Sequence, residues 1–128
     1  VPSKYEQRLI IQIVETGLPR PERQARLIEG RRFSCDFTWR AARVVCEVEG
    51  GSFMAGRHTR GASFRQDCEK YNLLALAGWL VLRVTDEHIR TGDAIAWIAE
   101  ALDARLGLGL RDEDERTRVE ETAHEQGR

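Results

Sequence analysis

The stretch Phe33-Ser-Cys-Asp36-Phe-Thr-Trp39, followed after the turn Arg40-Ala-Ala-Arg43 by Val44-Val-Cys-Glu47-Val-Glu49, decides how this chain folds and where its chemistry lies. In the first half, Phe33, Cys35, Phe37 and Trp39 alternate with Arg32, Ser34, Asp36 and Thr38, the period-two pattern of a half-buried β-strand. In the second half, Glu47 and Glu49 share one face, and Val44, Cys46 and Val48 share the other. The segments read as neighbouring strands whose polar faces bring Asp36, Glu47 and Glu49 within reach of one hard divalent cation, for which carboxylate oxygens are the preferred ligands. That constellation points to Mg²⁺-dependent chemistry on phosphate.

Upstream, Ser3 to Thr16 has the spacing of an amphipathic helix, with Tyr5, Leu9, Ile10, Ile13 and Val14 on one apolar face and Gly17-Leu-Pro19 ending it. Glu6 falls in the middle of that face. Two readings are open: Ser3-Lys-Tyr-Glu6 is a capping box, and an acid on an apolar face also suits a site at the core's edge. Residues 19–30 are a charged connection with room for a helical turn or an extra strand. Downstream, residues 50–61 form a long loop with four glycines carrying Arg57, His58 and Arg60, and loops of that length inside a compact domain are usually functional or disordered.

A second helix is expected from Ala62 to Ala77, with Phe64, Cys68, Tyr71, Leu74 and Ala75 buried, Asp67 and Lys70 flanking them, and Gly78 as the stop. Trp79 to Val84 reads as an apolar, central strand with a parallel neighbour. Ile89 to Leu106 reads as a third helix with Ile95, Ile98, Ala99, Leu102 and Leu106 as its stripe, and His88 caps or precedes it. The expected fold is α/β: one domain, a central mixed sheet flanked by helices, in the order α-β-β-β-α-β-α. The domain spans 1–108, and 109–128 is a charged tail, disordered or helical.

With 128 residues and 41% hydrophobic content, the chain is one domain with enough material for a two- or three-layer core. The longest apolar run, Leu73 to Val84, is broken by Gly78 and Arg83 and falls short of a membrane span; with no amino-terminal signal pattern, a cytoplasmic protein is expected. Cys35, Cys46 and Cys68 lack C-x-x-C spacing and read as buried reduced thiols. The net charge of −1 hides a division along the chain, because residues 111–128 hold seven acids and four bases. Residues 31–65 contain seven arginines against three acids, and those acids are Asp36, Glu47 and Glu49. Once they bind a cation the surroundings become positive, which suits a polyanionic substrate.

The order helix with Glu6, strand with Asp36, strand with Glu47-Val48-Glu49, then helix and strand resembles the PD-(D/E)xK nuclease superfamily over residues 3 to about 106. Small size and a leading helical Glu look most like Holliday junction resolvases of phage and archaeal type. Glu47-Val-Glu-Gly-Gly51, followed by Gly56-Arg-His-Thr-Arg-Gly61 and Asp67-Cys-Glu-Lys-Tyr-Asn72, also looks like small phage-encoded endonucleases of the same superfamily.

The resemblance implies a restriction-endonuclease-like core and phosphodiester hydrolysis with Mg²⁺, for which Mn²⁺ substitutes. Asp36, Glu47 and the Val48 carbonyl would be metal ligands, and Glu6 would hold a second metal or its water shell. The chain departs from the pattern at Glu49, where the superfamily usually has lysine. A carboxylate there can accept a proton from water but offers phosphate no positive charge. Lys70, one of only two lysines, stands as a migrated replacement, with a solvated helix lysine as the alternative.

Arg57, His58 and Arg60, with Arg32 and Arg40 beside the strands, are the expected DNA contacts. His58 is also a candidate base. A resolvase cuts two strands symmetrically, so a homodimer acting on branched DNA is implied, in the host cytoplasm if phage-encoded and without a nucleotide cofactor. The alternatives are a duplex-nicking, restriction or mismatch endonuclease, and a catalytically silent DNA-binding member of the same fold.

Overall fold

The computed structural model describes residues 3–50 and 60–109, with the side chain of Arg60 excepted. Eight elements follow in order: α1 (Lys4–Glu15), β1 (Glu22–Ala25), β2 (Cys35–Trp39), β3 (Val44–Glu49), α2 (Arg60–Leu76), β4 (Leu80–Thr85), α3 (Asp86–Thr91) and α4 (Asp93–Leu106). They form a four-stranded mixed sheet in the order β1-β2-β3-β4. The first three strands run antiparallel, and β4 lies parallel to β3 after the α2 crossover. The charged connection supplies the extra strand, β1.

Each face of the sheet is covered. On one side Leu9 and Ile13 of α1, Ile89 of α3, and Ile98 and Leu102 of α4 pack against Phe37, Trp39, Val44, Cys46 and Val84. On the other, Tyr71 and Leu74 of α2 meet Cys35, Val45 and Val81, with Leu27, Ile28 and Phe33 from the loop before β2. Register explains the division: Phe37 pairs with Cys46 and Trp39 with Val44, all facing α1 and α4, while Thr38 pairs with Val45 on the α2 side.

Several expectations are corrected. The strand at Leu80–Thr85 is an edge strand, not a central one; it reads as apolar because helices cover both of its faces. The last helix is two helices, since Gly92 takes φ +87°, a left-handed conformation that ends α3 and begins α4. His88 does serve the cap, its Nδ1 accepting from the Thr85 amide at 3.0 Å. In α2 only Leu74 of the expected face is fully buried; Phe64 is 67% exposed, and Cys68 and Ala75 are exposed too. No residue of the first half of α2 belongs to either core cluster. Val14 of α1 is likewise exposed, and Phe33 and Cys35, expected on one face with Phe37 and Trp39, pack instead in the α2 cluster.

The closure of α2 onto the sheet runs through Arg43. Its backbone takes φ +54° in the turn after β2, its carbonyl accepts from the Leu80 amide at 2.9 Å, and its guanidinium stacks on Trp79 and donates to the Ala77 carbonyl. One side chain thus joins the start of β3 to the end of α2 and the entry to β4. Residues 51–59, with Arg57 and His58, and the tail from residue 110 lie outside the described residues. No described helix is long and apolar enough to cross a membrane.

Candidate active site

The β2–β3 ladder stops at the pair Phe37–Cys46, and beyond it the strands are joined by a side chain. Asp36 Oδ2 accepts from the Val48 amide at 2.8 Å, and its Oδ1 accepts from Gln24 Nε2 at 3.1 Å. Gln24 Oε1 in turn accepts from the Ser34 hydroxyl at 2.7 Å. Gln24 is held at φ +50°, an uncommon conformation for a residue with a Cβ, so β1 bends where it delivers the amide to Asp36.

Glu47 stands beside Asp36 on β3 and is 5% exposed. Lys70 reaches across from α2, placing Nζ 2.9 Å from Glu47 Oε1 and donating to the Ser34 carbonyl at 2.7 Å. Its ammonium also lies 5.7 Å from the Phe33 ring centroid and 5.8 Å from that of Tyr71. The Lys70–Glu47 contact is an ion pair by distance but not an aligned hydrogen bond, and Glu47 Oε1 is buried without a hydrogen-bond partner. Burial pushes the Glu47 carboxyl up to about 7; Lys70 opposes that shift and the neighbouring Asp36 adds to it. Burial similarly pushes the Cys35 thiol up to about 12, which leaves it a protonated filler beside the acids.

The third acid behaves differently. Glu49 Oε1 accepts from Arg83 Nε at 2.7 Å and from the Tyr71 hydroxyl at 3.0 Å. The expected convergence of three carboxylates is therefore a pair, Asp36 and Glu47, with Glu49 turned to its own cation. Among the described residues no three His, Cys, Asp or Glu side chains stand together as a metal cage. The pair still fits Mg²⁺, which keeps several waters and takes one or two carboxylates plus substrate phosphate rather than an all-protein shell. Glu47 is buried beside Asp36, a donor set of the kind Mg²⁺ takes. The Val48 carbonyl, expected as a ligand, accepts from the Gly50 amide at 3.1 Å.

Glu6 carries the capping box: its Oε2 accepts from the Ser3 amide at 3.1 Å and its Oε1 pairs with Arg23 at 3.4 Å. The Arg23 guanidinium lies over Phe37, on the α1 side of the sheet, whereas Glu47 meets Lys70 of α2. Arg40 is a further correction, because it follows β2 at the end away from Asp36 and binds Glu22 through two hydrogen bonds, of 2.6 and 3.1 Å. Arg32 remains close: with Arg31, Phe33, Gln66, Asp67 and Lys70 it lines an open groove of about 610 Å³ that leads to the lysine. Arg60 opens α2.

Pattern reading missed Gln24 and Arg83. Gln24 carries no signal in the sequence, since its role depends on a bend in β1. Arg83 was visible only as a charge interrupting an apolar strand. The sequence matches no protein-family model, no curated protein and no solved structure.

Proposed function

We propose that the chain is a Mg²⁺-dependent DNA endonuclease that hydrolyses phosphodiesters, with Asp36 and Glu47 as metal ligands and Lys70 as the motif lysine. The observation that carries this reading is Lys70 Nζ at 2.9 Å from Glu47, one helix away in sequence from the acids. A lysine contributed by α2 stands beside the buried Glu47 and its neighbour Asp36, next to the position that Glu49 leaves without positive charge.

Each residue has a separable task. Asp36, gripped by Gln24 and the Val48 amide, keeps one orientation, and each oxygen has a lone pair left for a ligand. Glu47 is buried beside Asp36, and a cation held by the two carboxylates would offset the negative charge that Lys70 alone leaves. Bound there, Mg²⁺ would supply charge neutralisation at phosphate and acidify water. Lys70 has donors beyond the one given to Ser34 and can place positive charge against a phosphate oxygen as negative charge builds in the transition state. Arg31 and Arg32 in the adjoining groove suit a strand that continues past the scissile bond.

The preferred substrate is a four-way junction, cut by a homodimer, a reading that rests on the resemblance in size and motif order. The test is cleavage of a labelled immobile junction beside linear duplex of matched sequence, with Mg²⁺, with Mn²⁺ and with EDTA. Paired metal-dependent nicks in the junction alone support the full reading. Metal-dependent cutting of duplex retains the nuclease and discards the junction. Binding without cleavage under every condition favours a silent scaffold.

A further inference from the structure

Glu49 occupies the position where a lysine is expected, and its surroundings give it a role. The Arg83 guanidinium is held on two sides: Nε donates to Glu49 at 2.7 Å, and the flat face lies 4.3 Å from the Tyr71 ring centroid. The Tyr71 hydroxyl donates to the same Glu49 oxygen at 3.0 Å, so the three side chains close a ring of contacts. Neither Nη of Arg83 has a hydrogen-bond partner among the described residues, and the side chain is 48% exposed. Glu47 and Arg83 are register partners across β3 and β4. Partners in register project from the same face, so Arg83 shares the α2 face with the acid pair and Lys70. Asp67 of α2 is the other charge acting on it.

We propose that Arg83 is a substrate-binding residue that presents its Nη groups to a DNA phosphate beside the scissile bond, and that Glu49 is a positioning residue that aims it. The inference rests on the nuclease reading above and assigns a role to its departure from the motif. A planar guanidinium fixed through Nε and stacked on a ring is pre-organised for the paired acceptors of a phosphate, which a mobile lysine is not. A second positive charge, beside that of Lys70, thus reaches the site from the neighbouring strand.

The experiment measures steady-state cleavage of labelled DNA by the full chain, together with binding in EDTA across a salt series. Arg83→Gln should raise KM about tenfold and lower the slope of log Kd against log salt by about one. Arg83→Lys should restore the slope but not the KM, because lysine has no Nε to rest on Glu49. Glu49→Gln should raise KM several-fold and lower kcat by less than about tenfold, whereas a proton-accepting Glu49 predicts a loss of about a hundredfold or more. The double variant should be no worse in KM than Arg83→Gln alone, since both changes remove one contact. Active wild type with unchanged KM and salt slope in Arg83→Gln overturns this inference and leaves the nuclease reading standing. Wild type that neither binds nor cuts DNA overturns both.

Discussion

The two faces of the sheet use the same strands for different ends. Toward α1, α3 and α4, fourteen buried residues form one continuous cluster that includes Phe37, the largest fully buried side chain. Toward α2 the corresponding cluster has four buried residues, and the space beside it is taken by Glu47, Asp36 and Lys70. Apolar burial stabilises the fold roughly in proportion to area, so the first face carries the stability. The second gives up packing to hold charges out of water, which costs free energy unless they are paired or ligated. Substitutions on the two faces should therefore have opposite signatures in activity and stability.

The largest effect expected is on the α2 face. Glu47→Gln should lower cleavage by about 10⁴-fold, equivalent to about 5.5 kcal/mol of transition-state stabilisation. The same variant should keep its melting temperature or gain a few degrees, because it removes a buried carboxylate, and its DNA binding should hold or tighten. Asp36→Asn is expected to match it in activity. Cleavage unchanged in both would remove the site from this face.

Next comes Phe37→Ala on the opposite face, expected to cost about 3–5 kcal/mol in urea unfolding, as for other buried aromatics. Leu74→Ala, in the small cluster, should lie near the low end of its class, about 2 kcal/mol. Equal losses from the two would erase the division of labour drawn above.

How far the sequence disclosed these faces follows from what each depends on. Period-two alternation placed both strands and sorted the faces of 44–49, because alternation is local and a one-residue slip would reverse every side chain; in 33–39 it holds for Phe37 and Trp39, whereas Phe33 and Cys35 pack in the α2 cluster. Asp36, Glu47 and Lys70 were legible as residue types at a spacing. Their separation from Glu49 was not, because it depends on Arg83, thirty-six positions beyond Glu47 yet its register partner. Glu6 shows the same limit from the other side: the local motif Ser3–Glu6 was readable, while its partner Arg23 comes from a strand that no periodicity announced. Phe64 and Cys68 misled because a helical stripe marks a face able to pack; both are exposed, and the α2 residues that join the small cluster are Tyr71 and Leu74.

A pH titration sharpens the comparison at smaller magnitude. The Glu47 carboxyl sits at about 7 in the fold against an ordinary 4.5. Between those values the native state keeps a proton that the unfolded chain has lost, so stability should fall as pH rises through the window and level off above it. The size is on the order of 1–3 kcal/mol. Denaturation in EDTA at pH 5 and pH 8 measures it, and Glu47→Gln should abolish the difference. Saturating Mg²⁺ should flatten it too, by holding the ionised form. A rise in stability over the same window would show that Lys70 outweighs burial.

The smallest effect concerns the place where the faces meet. Tyr5 lies close to Gly50, where an added Cβ would stand 3.5 Å from its ring, so α1 begins at the sheet end that carries the acids. Ser3→Ala removes the hydroxyl that caps α1 through the Glu6 amide and should cost about 1 kcal/mol, a fall in Tm of a few degrees. If Glu6 serves only the helix and Arg23, cleavage measured well below that Tm should keep its wild-type rate and metal dependence. A weaker metal response in Ser3→Ala would mean that the cap aims Glu6 at the site, and the boundary between the stabilising face and the chemical one would then run through α1 itself.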